Sequence, residues 1–251
     1  MRNKTISSLS PEYQELKKLF PSLGKKPPKP DPVKSEPVDG PALLQDLSGF
    51  IGRYLHCSQH QRHLLALWAL HTWCSSAAQF TPYLAILSPE PRAGKTLCLQ
   101  LLSLLCHDPS LTSTLSVRTL IDRMFLSPPS AILLDDAQAI LGSRSRSRNP
   151  ALRGLLVNGS HLRHGALEAT RDRHVFCPKA FAITGQLPDD LAHHSIPIIL
   201  QPLPRREGLW FSPNGVQRFD LSSAGRDAEV LKQRLSAWSR QHLQHLQQRP
   251  V

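Results

Sequence analysis

From Pro41 onward, apolar residues recur at helical spacing: Leu43, Leu44, Leu47, Phe50, Ile51 and Leu55 fall on one face of a helix. A second helix is predicted over about residues 58–74, and its stretch 64–70 is so apolar that it should be buried nearly all round. The pattern then changes to short apolar runs at 84–87, 131–134, 179–185 and 196–200. Continuous apolar runs of that length read as strands of a parallel sheet covered on both faces. Pro197 assigns the last of them to an edge, or to the start of a strand. Helical patterns lie between and after the strands, at 97–106, 137–141, 149–157 and about 225–248. Residues 158–160 form a turn between elements. Strands alternating with helices predict an α/β fold with a mostly parallel central sheet flanked by helices.

The same pattern divides the chain. Residues 1–40 are a flexible N-terminal segment, with one short amphipathic stretch at 11–20 and a Pro/Lys linker after it. The linker reads either as a plain tether or as a docking motif. Residues 41–80 are a helical pair packing on the core, 81–205 the core itself, and 206–251 a C-terminal helical segment.

Chemistry concentrates at the end of the first strand. There Ser88, Pro89, Glu90, Pro91, Arg92 and Ala93 lead into Gly94, Lys95 and Thr96, which open the helix at Leu97. Strand, short turn-forming loop and helix are the layout of a phosphate-binding loop. Backbone N–H groups and the helix N-terminus would cradle phosphate oxygens. Lys95 would reach the β and γ phosphates, and the Thr96 hydroxyl would hold Mg²⁺. The position where the standard pattern has its first glycine is Pro89, so the loop must turn without that glycine's freedom.

About 40 residues later the run 131–134 ends in Asp135 and Asp136. Ligands of open α/β sheets bind at the carboxyl ends of strands. Asp135 would support Mg²⁺ there, and Asp136 would orient an attacking water. The plainer alternative is that both carboxylates cap the following helix. Hydrolysis is the more exposed part of the expectation, since Asp136 stands one methylene short of the usual Glu.

The net charge of +11 favours a polyanionic partner, DNA or RNA. Residues 142–149 alternate Ser and Arg; they read as phosphate contacts, as an arginine donated to a neighbour's nucleotide, or as a solvated loop. Five cysteines without a CxxC pair fit a reducing cytoplasm. No apolar run approaches a membrane span and no signal-peptide pattern opens the chain, so a soluble, cytoplasmic protein is expected. His56, His60 and His63 would share a helical face; a metal site is conceivable, but no carboxylate or CxxC completes a ligand set.

With these residues placed, the chain resembles a P-loop ATPase domain-of-unknown-function family found in phage and plasmid primase- or helicase-like replication proteins. The resemblance runs over about residues 50–247. Its carriers include Leu67-Trp68-Ala69-Leu70-His71-Thr72, Thr81-Pro82-Tyr83, Ser88-Pro89-Glu90 before Gly94-Lys95-Thr96, Leu152-Arg153-Gly154, Leu187-Pro188-Asp189, Ser195-Ile196-Pro197-Ile198 and Leu235-Ser236-Ala237-Trp238. It implies a RecA- or AAA-like P-loop NTPase that uses ATP and Mg²⁺, acts on DNA, and completes its sites in a ring or other oligomer. It also implies that Thr184 senses the γ-phosphate. Two departures stand out. The family has Asp-Arg before its Ser-Ile-Pro-Ile segment, where this chain has His193-His194. An arginine there could serve a neighbouring subunit's site, which leaves Arg163, Arg171, Arg173 or the Ser/Arg loop to supply the charge. The family also continues past the Trp238 helix. A catalytically weak, nucleotide-gated module that binds DNA or a helicase is the alternative.

Overall fold

The computed structural model describes residues 37–113, 130–141, 154, 156, 159–161, 176–202, 205–206, 209–210 and 215–248. The N-terminal stretch at 11–20, most of the linker, the Ser/Arg loop, and Arg163, Arg171 and Arg173 lie outside these residues.

Two helices come first, α1 (Gly40–Tyr54) and α2 (Gln59–Cys74). Ser58 caps α2 in a reciprocal box with Gln61, which satisfies two otherwise orphaned N–H groups. Then follow β1 (Tyr83–Ser88), α3 (Lys95–Leu105), β2 (Pro109–Thr112), β3 (Ala131–Leu134), α4 (Gln138–Leu141) and β4 (Lys179–Thr184). The chain continues through α5 (Asp189–Ala192), β5 (Ser195–Ile199), the two-residue strands β6 (Arg205–Arg206) and β7 (Leu209–Trp210), and α6 (Leu221–Gln247). Helix α6 starts four residues before the expected Gly225, because Asp220 caps it by accepting from Ser223 N. The sequence signal for β5 as the last strand is corrected by β6 and β7, which pair antiparallel in a separate ribbon.

The main sheet has five strands in the order β2-β3-β4-β1-β5, and every pairing in it is parallel. Side chains alternate across it. Leu84, Ile86, Leu133, Ala180, Ala182 and Ile198 join a core with α1, α2, α3 and α6. Tyr83, Ala85, Ile132, Leu134, Phe181 and Ile183 face the opposite core, with Leu141, Leu156 and Leu191. Burial on both faces explains the unbroken apolar runs. Pro197, opposite Ala85, lies on the edge strand β5, where its missing N–H costs no ladder bond on the outer side. The outer carbonyl of Ile199 is taken by Gln61 Nε2 from α2.

Two sequence expectations fail in α2. Leu65, Ala66, Trp68, Ala69 and Leu70 are buried, but Leu64 is 37% and Leu67 48% exposed, because α2 packs against α1, α3 and α6 and leaves its outer face open. His56 precedes α2, so it does not share a helical face with His60 and His63. Among the described residues no cluster of three or more His, Cys, Asp or Glu side chains gathers as for a metal.

Candidate functional site

Because all five strands run parallel, the segments leaving β1, β3 and β4 emerge on one edge of the sheet. Ser88 ends β1 in register with Thr184 at the end of β4, and Gly185 N donates to Ser88 O. Asp135 follows β3 on the far side of β4, with its N–H donating to Thr112 O of β2. Interposing β4 brings Thr184 between the loop and the two carboxylates. That order was not legible in the sequence.

The loop reverses at the glycine before Lys95 and at one position where the usual pattern asks for no glycine. Positive φ falls at Arg92 (65°) and Gly94 (91°), not at Pro89. Such reversals let successive backbone N–H groups face one point. The buried Ser88 hydroxyl donates to Glu90 O, bridging over exposed Pro89 and closing the first part of the loop. Gly94 is the N-cap of α3 and has no side chain to offer its first turn. The N-terminus of an eleven-residue helix therefore opens onto the loop without a side-chain cap.

Lys95, half-buried in the first turn of α3, donates to Ser88 Oγ and, at 3.4 Å, to Glu90 O. Burial lowers its ammonium pKa, and the fields of Asp135 and Asp136 oppose that lowering. Both carboxylates thus lie within electrostatic range of the lysine, although they follow a strand two places away. Asp136 adopts a left-handed conformation, φ 47°, and its N–H donates to Asp135 Oδ1 at 3.0 Å. Asp135 is half-buried and Asp136 exposed.

The other sequence-assigned residues sit around this centre. Pro89, Glu90, Arg92 and Thr96 are exposed, Ala93 is buried beneath the loop, and Leu97 packs partly against the main core. Thr184 is half-buried, and its carbonyl accepts from Gln138 Nε2 at 2.8 Å. Gln138 thus locks α4 to β4 behind the carboxylates; nothing in the sequence marked it. Ser88 was placed in the phosphate-binding loop by sequence, but its role as the lysine's seat had no local signal.

His193 and His194 are not part of this centre. Tyr83 N donates to His194 O at the start of β1, so the pair lies at the opposite edge of the sheet from the loop. Neither side chain reaches this chain's own Lys95.

Lys179 was likewise unmarked. It begins β4, fully buried, and donates to Cys177 O, Gly159 O and the Tyr83 hydroxyl. Its ammonium also lies 4.9 Å from the Tyr83 ring centroid. Desolvation lowers its pKa. Sitting at the amino end of β4, it fastens the end of the sheet opposite the loop.

No helix among the described residues is long and apolar enough to cross a membrane. No protein-family model matches the chain, and no curated protein matches it in sequence.

Proposed function

We propose that this chain is a P-loop NTPase that binds Mg-ATP at the loop between Leu87 and Lys95 and hydrolyses it in work on DNA or a replication complex. The observation that carries the reading is the position of Lys95. It stands at the open N-terminus of α3, at the carboxyl end of a parallel sheet, in the field of Asp135 and Asp136. A half-buried lysine whose described partners are a hydroxyl and a carbonyl is ready to exchange those neutral partners for phosphate oxygens.

The residues fit the group. Arg92 and Gly94 supply the backbone reversal, and the first turn of α3 supplies unsatisfied donors. Thr96 and Asp135 would hold Mg²⁺, a cation that needs only one or two protein ligands beside phosphate and water. Bound Mg²⁺ would neutralise charge on the phosphates. Asp136 would orient water, and Thr184, at the end of the neighbouring strand, would be the polar side chain nearest the γ-phosphate. The basic surplus of the chain supports a nucleic-acid partner, and the resemblance supports a ring or other oligomer.

Release of phosphate from Mg-ATP, with and without single- or double-stranded DNA, tests the reading. DNA-stimulated release that Lys95→Ala abolishes supports it; turnover that survives Lys95→Ala sinks it.

One observation favours the second reading, a nucleotide-gated binding module. Asp136 is short, and its own N–H holds Asp135 Oδ1, so the pair is partly spent on its own turn. That reading expects ATP affinity without turnover in the wild type, and hydrolysis gained on Asp136→Glu.

A further inference from the structure

The lysine of the loop rests on a side chain that the sheet holds rigidly. Ser88 ends β1, is 1% exposed, and lies in register with Thr184 of β4. Its carbonyl accepts from Gly185 N, so its backbone is tied to the segment leaving the neighbouring strand. Its hydroxyl proton is committed to Glu90 O, which leaves the lone pairs of the oxygen to accept from Lys95 Nζ. Lys95 also reaches Glu90 O, at 3.4 Å, so hydroxyl, carbonyl and ammonium close a triangle over the start of the loop.

Charge alone would choose a different arrangement. Asp135 and Asp136 lie within electrostatic range of Lys95, and a carboxylate is a stronger acceptor for an ammonium than a hydroxyl is. Yet among the described residues no ion pair joins Lys95 to either carboxylate. A lysine side chain has many rotamers to lose when a ligand orders it, and a seat on a rigid strand end removes most of that cost in advance. Holding Lys95 away from Asp135 also leaves that carboxylate to the metal.

We propose that Ser88 is a positioning residue for nucleotide binding: its hydroxyl holds the Lys95 ammonium over the loop, apart from the carboxylates, both before and after phosphates arrive. The proposal rests on the phosphate reading of the loop. An ammonium has three N–H donors. Exchange for phosphate oxygens takes the long Glu90 contact and the remaining donor, and leaves the Ser88 bond in place. Without the hydroxyl the free protein can relax, because Lys95 can turn onto Asp135 or Asp136. The loaded protein has no such refuge, since Asp135 then holds Mg²⁺. Loss of the hydroxyl therefore penalises the bound state more than the free one.

A double-mutant cycle tests this, with Mg-ATP titrated calorimetrically into the full chain as wild type, Ser88→Ala, Lys95→Ala and the double variant. Ser88→Ala should weaken binding about three- to tenfold in the wild-type background, and less than about twofold where Lys95 is already alanine. Ser88→Cys nearly keeps the volume at this buried position but accepts a hydrogen bond poorly, so it should follow Ser88→Ala. It carries the same comparison if thermal melting shows the alanine variant unfolded. An equal loss in both backgrounds overturns the proposal, because Ser88 would then serve only to close the loop through Glu90 O. Undiminished affinity in the Ser88 variants overturns it too. Both outcomes leave the phosphate reading standing so long as Lys95→Ala alone weakens binding. Equal affinity in the wild type and Lys95→Ala, or no binding by the wild type, overturns that reading and the proposal with it.

Discussion

Replacing Gly94 by alanine tests the loop's backbone directly. Gly94 has φ 91° and ψ 13°, a conformation that costs an L-residue about 1–2 kcal/mol. The new Cβ would also approach Leu55 Cδ1 to 3.2 Å, so Leu55 must give by a few tenths of an ångström. Gly185 separates the two effects, because its φ is 92° but a Cβ there meets nothing within 4 Å. Gly185→Ala should therefore lose only the backbone term, about 1–2 kcal/mol, and Gly94→Ala that term plus up to about 1 kcal/mol of crowding. Urea unfolding followed by circular dichroism measures both. With a slope of roughly 2–3 kcal/mol per molar, Gly94→Ala should shift the midpoint down by roughly 0.3–1.5 M. A Gly94→Ala midpoint equal to the wild type, or smaller in its shift than Gly185→Ala, would refute the strained-turn argument. The same variant should weaken Mg-ATP binding more than Gly185→Ala does, since only Gly94 belongs to the loop.

Two further predictions concern stability away from the loop. Gly225 is helical with open space around it, so Gly225→Ala should raise stability by about 0.5–1 kcal/mol, read as a higher urea midpoint. Burial pushes the thiols of Cys57 and Cys74 from 9.0 up to about 11, and that of Cys106 up to about 12. The folded state keeps these protons where the unfolded chain releases them. Their contribution is therefore fully present below pH 9 and lost as pH rises through 11 and 12. Melting temperature should fall steeply between pH 9 and 11, and less so in Cys57→Ala; a flat profile across that interval would contradict the burial of these thiols.

The strands of the site could be read from sequence because burial on both faces forces an unbroken apolar run, and 84–87 and 131–134 each show one. The loop could be read because Gly94, Lys95 and Thr96 follow a strand and open a helix. Strand β2 escaped notice: Pro109–Thr112 is a short, partly exposed edge strand with no apolar run to announce it. Strand order is a tertiary property, so the placement of β4 between loop and carboxylates had no local signal. Leu64 and Leu67 misled for the opposite reason. A helix packed on one side tolerates exposed leucines, and composition alone does not show which side is open. Lys179 defied the usual rule for lysine because two carbonyls and a tyrosine hydroxyl, distant in sequence or set by the fold, converge on its ammonium.

Under the proposed function, Lys95 and its loop bind the phosphates of a nucleotide. Calorimetric titration of Mg-ATP into the wild type and Lys95→Ala, at matched salt and pH, tests it most directly. The expected result is saturable binding with Kd in the range of about 1 μM to 1 mM, weakened at least about tenfold by Lys95→Ala while the fold persists. Equal affinity in the two proteins, or no binding by the folded wild type, would contradict it.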